Sequence, residues 1–518
     1  MTLNLPPAFS AAWIFCVSAT LAVSTTRAAP PEPSVDALVA AELNRRGLAP
    51  ASRCDDAVFL RRVFLDMTGT LPRAAEAKTF LDNPRPDKRA QLVERLFRHD
   101  AFADFQAMHR CDLLRVKSEF PSRLWPNAVQ AYQHWITTAC RDNLPADRFA
   151  RELLTASGSN FRDAPVNFYR SVARREPAFF AEAAALTFMG IRPEHLTAAQ
   201  RDGMAPCFAM IGFKETAEWK EEIVFFDRAR AEAAPPATAV FPDGKHVALD
   251  PARDPREAFA DWLTAPDNPW FARCTVNRLW HELTGRGLVH PPDDLRPDNP
   301  PSCPALLDFL ARELVDHHYD LRHLMRLILN SETYQRSSIP PDPAHPDPTG
   351  LSHHLLRRLD AEVLIDAINQ VTGTRETYSS EIPEPFTYLP ASHRATALAD
   401  GSISSPFLDL FGRPPRDTGL VGERNNEVSD TQMLHLLNST HIQQKIENGP
   451  AILEFHKSKK PLPELIAAMY LAILSRPPGD ADLAAATDHF KARGRKRTEA
   501  VQDLAWALLN SREFLYLH

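Results

Sequence analysis

The chain has 518 residues, 44% of them hydrophobic, enough for two or three ordinary domains and for a core that needs no staple to stay folded. Its 59 basic residues stand against 66 acidic ones, a formal net charge of -7, and neither half is strongly basic. That balance argues against nucleic acid as a partner.

The first 28 residues, "MTLNLPPAFSAAWIFCVSATLAVSTTRA", carry an apolar stretch from Ala8 to Val23 that is too short and too rich in Ser and Thr for a membrane span. They read as a signal peptide cleaved near Ala28, although no Lys or Arg precedes the apolar stretch. Export to the periplasm or beyond follows, with membrane attachment only if the segment stays uncleaved. Cys16 follows Trp13-Ile14-Phe15, too bulky for a lipidation site. Six cysteines remain after cleavage, Cys54, Cys111, Cys140, Cys207, Cys274 and Cys303. An even count permits disulfides in an exported chain and equally permits buried thiols.

Residues 29–235 read as a first helical domain. In "CDDAVFLRRVFLDMTGTLP" an aspartate, Asp55 or Asp56, caps the start, Phe59, Val63 and Met67 recur at helical spacing, and Gly69 with Pro72 stops the run. Proline is expected at the first helical position at Pro86, Pro126, Pro145, Pro177 and Pro269, where its missing N–H costs nothing. Gly158, Gly190, Gly285 and Gly373 are expected to close helices. Near residue 235 the composition turns to Ala and Pro, and Val240 to Leu249 around Pro242-Asp243-Gly244 reads as a short β-hairpin.

Residues 236–518 read as a second helical domain, interrupted at 374–427 by an irregular segment rich in Pro, Ser and Gly and long enough to line a site. The fold class is therefore mainly α: two packed multi-helical domains with a short hairpin between them. Three stretches, residues 92–105, 324–337 and 504–517, share a leucine-led helix, a polar turn and then an aromatic, Phe102, Tyr334 or Phe514. They read as a recurring helix terminator, since no fixed period links them.

Catalytic signatures fail on spacing. "WHELTGRG" begins like a zinc-binding helix, but Gly285 stands where the second histidine should follow His281. The adjacent pairs His317-His318 and His353-His354 point about 100° apart on a helix and give no two-ligand face. No phosphate loop, nucleophile elbow or dinucleotide fingerprint occurs. Asp360 and Glu362, two apart, fall on different helix faces, too divergent for an acid–base pair, and are expected to pair with Arg357 or Arg358. Asp293 and Asp294 lie in a proline-rich loop, where a site reading competes with turn capping. The basic run from Lys491 to Arg497 reads as a solvated loop. No metal ligands and no cofactor are read from these residues.

Several stretches carry a resemblance. "FLRRVFLDMTGTLP" with "DKRAQLVERLFRHDAFADF" resembles the domain of unknown function 1549. "DWLTAPDNPWFARCTVNRLWHELTGRGLVHPPDDLRPDNPP", "RRLDAEVLIDAINQVTG", "LFGRPPRDTG" and "MLHLLNSTHIQQKI" are similar to its usual companion, domain 1553, in exported proteins of planctomycete and related bacteria. The resemblance implies an exported, largely helical protein without an assigned activity. Many relatives carry CxxCH for covalent haem. Here the matching interval holds Cys207 alone, followed by Phe208-Ala209-Met210, and "GRPPR" is followed by no Cys-x-Cys. These departures imply a haem-free branch with Cys207 as a packing residue.

Two readings follow. One is a non-catalytic scaffold or binding protein whose partner is another exported protein or a glycan, with Asn277, Arg278, Trp280, Arg357 and Arg358 as binding or domain-tying residues. The other is a carbohydrate-active hydrolase or lyase that gathers Asp293, Asp294, Asp360 or Glu362 into an interdomain cleft. Clustering around one pocket with an unpaired carboxylate favours the second, and closed ion pairs favour the first.

Overall fold

The computed structural model describes residues 1–2, 33–390, 392–494 and 496–518; the expected signal peptide, apart from its first two residues, lies outside them. The chain is mainly α, 53% helical with 6% strand in small sheets. Local chemistry explains most helix ends. Asp55 caps helix Asp56–Thr68 by accepting from the backbone N–H of Val58 at 2.8 Å. Gly69 ends it at φ 59, and a Cβ there would stand 2.5 Å from the Phe105 ring, so glycine answers both the left-handed turn and the close approach.

Pro126 and Pro177 open their helices, whereas Pro145 sits one position earlier as a cap, and Pro86 and Pro269 lie in the turns before helices. Gly190, Gly285 and Gly373 take the left-handed closing position. Gly158 does not. It enters a strand instead, and Ala156 ends helix Ala146–Thr155.

The expected hairpin forms from Thr238–Val240 and His246–Ala248. A second sheet was not legible. Strand Glu222–Phe226 lies between Gly158–Ser159 and Ile211–Glu215, all antiparallel. The runs "IGFKE" and "EIVFF" are short and carry charge at their facing ends, so each reads as loop until paired. Buried Glu222 at the sheet end is held by Arg170 at 2.9 Å and Arg175 at 2.7 Å.

Packing divides the helices between two apolar cores. The first gathers residues from Val35 through Leu351 with Ala399, including the stacked Phe241 and Trp262, 4.4 Å between centroids, and Trp280. The second runs from Leu359 to Leu517 and also takes in Leu65, Leu71, Phe105 and Met108 from far upstream. Helix Asp56–Thr68 is the axle between them. Phe59, Leu60, Val63, Phe64 and Met67 face the first core and Leu65 the second.

Its two arginines reach the terminator repeats. Arg61 donates to the Phe514 carbonyl at 2.9 Å and lies over the Phe514 ring, while Arg62 donates to the Tyr334 carbonyl at 2.6 Å and lies over the Tyr334 ring. The aromatics that turn the chain therefore also seat the central helix. All six cysteines from Cys54 to Cys303 are buried free thiols. Cys207 lies in the first core at 0% exposure, and burial pushes its thiol up to about 12, so it packs as a small apolar residue.

Candidate functional site

A cavity of about 270 Å³ opens between the two cores. Five segments wall it. Helix Asp56–Thr68 supplies Asp66, helix Asp100–Leu113 supplies His109 and Asp112, and helix Phe271–Thr284 supplies Arg278, His281 and Glu282. The strand Arg357–Arg358 with Asp360 forms another wall, and residues of the irregular segment, Val421, Arg424 and Asn426 among them, close the last side. An apolar slot of about 130 Å³ adjoins the chamber and shares Gln106, Arg110, Glu282 and Met325 with it. Phe102, Phe149, Phe188 and Phe271 line that slot.

Arg424 is the hub of the charged wall. It donates to Asp112 at 2.6 Å and Glu362 at 2.6 Å, and its Nη1 lies 3.8 Å from Asp360 Oδ2. Arg416 binds the other oxygen of Asp112 at 2.8 Å, and Arg413 stands 3.4 Å from Glu362. Asn426 donates to Asp360 at 2.6 Å. Burial would raise the Asp360 carboxyl, but Arg424, His109 and Asn426 outweigh it and hold the group down to about 2. The expected partners of Asp360 and Glu362, Arg357 and Arg358, are not the observed ones. Asp360 occupies the cap position ahead of helix Ala361–Thr372, not a helical turn, so it and Glu362 converge on Arg424 instead of pointing to opposite faces.

Arg357 instead pairs with buried Asp66 and donates to the Glu282 carbonyl at 2.7 Å. Burial raises the Asp66 carboxyl despite that pairing, and Tyr334 donates its hydroxyl to it at 2.7 Å. Arg358 spends its guanidinium on the carbonyls of Phe411 at 2.7 Å and Asn425 at 3.0 Å. Arg278 binds Asp293 at 2.8 Å and donates to the carbonyls of Leu186 and Thr187. Those carbonyls are available because residues Ala185–Met189 form a π-helical turn, which breaks the ordinary bonding ladder. Asp293 in turn accepts from the Val421 N–H at 2.6 Å, tying the loop to the irregular segment.

Of the nine nominated residues, Arg278, Arg357, Arg358 and Asp360 line the cavity. Five do not. Asn277 braces the 289–292 loop, donating to Val289 O at 2.9 Å and accepting from Val289 N at 2.8 Å. Trp280 is core, Glu362 lies behind Arg424, and Asp293 lies behind Arg278. Asp294 meets His195 at 2.7 Å and Arg296 at 2.9 Å on the far side of the loop.

Two residues that face the cavity had no sequence signal. His109 and the Glu282 carboxylate form no hydrogen bond or ion pair among the described residues. Glu282 belongs to the failed zinc motif, so its neighbourhood was visible and its role was not. Its neighbour His281 is pushed down to about 3 by burial, then by Arg357 and the two nearby histidines, and its Nδ1 is buried without a partner. The imidazole is neutral at physiological pH. Among the described residues, no trio of His, Cys, Asp or Glu ligand atoms converges inside the cavity.

A covalent haem does not fit these residues. Cys207 is wholly buried in a short turn, Ala205–Phe208, inside the first core, and Phe208 follows it.

The matches to known families bracket this site. Residues 34–194 match the model described as Protein of unknown function (DUF1549), and residues 255–490 match Protein of unknown function (DUF1553). No curated protein matches the chain, and no solved structure does.

Proposed function

The chain carries DUF1549 and DUF1553 as a pair, and from that premise we propose that it is an exported, haem-free, non-catalytic protein that binds its partner at the charged chamber between the two cores. One observation carries the reading. Each nominated catalytic carboxylate is already engaged: Asp293 by Arg278, Asp294 by His195 and Arg296, Asp360 by Asn426 and Arg424, Glu362 by Arg424 and Arg413. Asp360, held down to about 2 with Arg424 the main charge acting on it, makes a poor general acid at neutral pH, and carboxylate oxygens already engaged by cations are poorly placed to take a substrate proton. Such pairs suit a rigid frame around a ligand.

The chamber's shape suits a ligand with a polar, hydrogen-bonding part and an apolar flank that enters the phenylalanine-lined slot. A glycan presents both through its hydroxyls and its C–H faces. A thermal-shift screen of the purified protein against a glycan panel tests the reading. A ligand at about 100 times its Kd adds roughly 2.7 kcal/mol to the unfolding free energy, and Arg357→Gln should remove that shift. No shift with any glycan sinks the glycan as partner and leaves an exported protein as the occupant to test by co-purification.

The hydrolase or lyase reading keeps one supporting observation: His109 and the Glu282 carboxylate in the chamber wall form no hydrogen bond or ion pair among the described residues. New reducing or unsaturated ends produced from a glycan, and lost in Glu282→Gln, would favour it over binding.

A further inference from the structure

We propose that Glu313, His317 and His323 form a surface site for a divalent transition-metal ion of the zinc class, which clamps two helices of the first core. The site is outside the chamber and independent of its reading. Helix Pro304–Asp316 ends at His317, and helix Leu321–Leu329 begins four residues later. Between them the backbone passes through two consecutive left-handed residues, His318 at φ 54 and Tyr319 at φ 59. This tight reversal is pinned by Tyr319, whose N–H donates to Leu314 O at 2.7 Å and whose hydroxyl donates to Thr264 O at 3.1 Å. Asp320 fixes the next helix by accepting from the N–H of Arg322 at 2.8 Å and of His323 at 3.1 Å.

The reversal sets two imidazoles side by side over one carboxylate. Glu313 Oε2 lies 3.5 Å from His317 Nδ1 and 3.1 Å from His323 Nε2, and the three ligand atoms all fall within 4.8 Å of one another. A tetrahedral ion with bonds of about 2.1 Å needs ligand atoms roughly 3.4 Å apart, close to the two distances from the Glu313 carboxylate. The ring planes do not yet converge. The imidazoles stack at 3.6 Å and 12°, which keeps their in-plane lone pairs in separate layers. His317 is the ring able to tilt, since its side chain is 47% exposed, and the hydrogen that its Nδ1 shares with the Glu313 carbonyl at 3.0 Å would give way to the ion. Two imidazoles and a carboxylate are a borderline donor set that suits zinc and leaves a fourth position for water.

His318, adjacent to His317, is not among the three converging ligands. The second imidazole comes from beyond the turn, where no helical period announces it.

The experiment is calorimetric titration of the EDTA-stripped protein with zinc chloride. One ion per chain is expected, with a rise in melting temperature on loading. Glu313→Gln and His323→Gln should each weaken binding about tenfold or more, the loss that even an outer-shell partner brings, while melting in EDTA stays at the native value. Absent saturable binding, or binding that both variants leave untouched, overturns the proposal. Should either variant melt early in EDTA, the exposed His317→Gln and cobalt loading decide. A visible absorption band typical of tetrahedral cobalt must be present in the native protein and lost in the variant, and its survival overturns the site.

Discussion

The interiors of the two cores and the seam between them are built from opposite materials. Inside each core the contacts are apolar and aromatic: Phe241 on Trp262 at 4.4 Å in the first, Phe407 on Phe411 at 4.2 Å in the second. Along the seam the contacts are guanidinium groups on carbonyls and carboxylates, from Arg61, Arg416 and Arg424. Apolar burial rewards area and is indifferent to direction. A guanidinium fork accepts only a narrow set of geometries. The division assigns stability to the interiors and the relative placement of the halves, with the chamber they enclose, to the seam.

The strongest way to break this contrast is Arg424→Met. It leaves Asp112, Asp360 and Glu362 short of a shared cation, and removal of one partner from a buried ionic cluster costs about 3–5 kcal/mol. Denaturant unfolding reads the loss, and a change below about 1 kcal/mol would put the seam on a par with exposed pairs such as Lys78–Asp82. Leu310→Ala probes the other material. Leu310 is fully buried in the first core, and its truncation should cost about 3 kcal/mol through lost contact and a residual cavity. It should leave ligand-induced thermal shifts at the chamber intact, whereas Arg424→Met should abolish them.

The smallest effect sharpens the seam's pH response. An unfolded histidine takes a proton near 6.5, and His281 in the folded protein does so only near 3. Between those values the unfolded chain binds the extra proton, so stability is full above about pH 7 and falls on acidification toward 3. One such group contributes about 1.4 kcal/mol per pH unit. His281→Gln should flatten the slope of the decline between pH 6 and pH 4 by up to that amount per pH unit, and an unchanged slope would assign the acid sensitivity to other groups.

Much of the helical frame was legible because its signals are local. The Asp55 cap and the Gly69 stop lie within a few residues of the ends they control, and the hairpin near residue 240 is announced by its own turn. The chamber was half legible. Arg278, Arg357, Arg358 and Asp360 stood out as a charged set, but their partners did not. Arg424 and Asp112 are separated by 312 positions, and no spacing rule links residues that far apart. Arg424 also sits in the irregular segment, where charged residues ordinarily read as solvated. Pairing expectations for Asp360 and Glu362 failed for a related reason, since Asp360 stands just outside the helix whose first turn holds Glu362.

Leu65, Leu71, Phe105 and Met108 have a consequence for anyone dissecting the gene. A fragment that starts after Leu113 would lose part of its own floor, along with Asp112, the counter-ion shared by Arg416 and Arg424. Expressed alone it should be insoluble, and soluble recovery should require co-expression of the upstream piece. The molecule behaves as a lock whose key was cast in the other half.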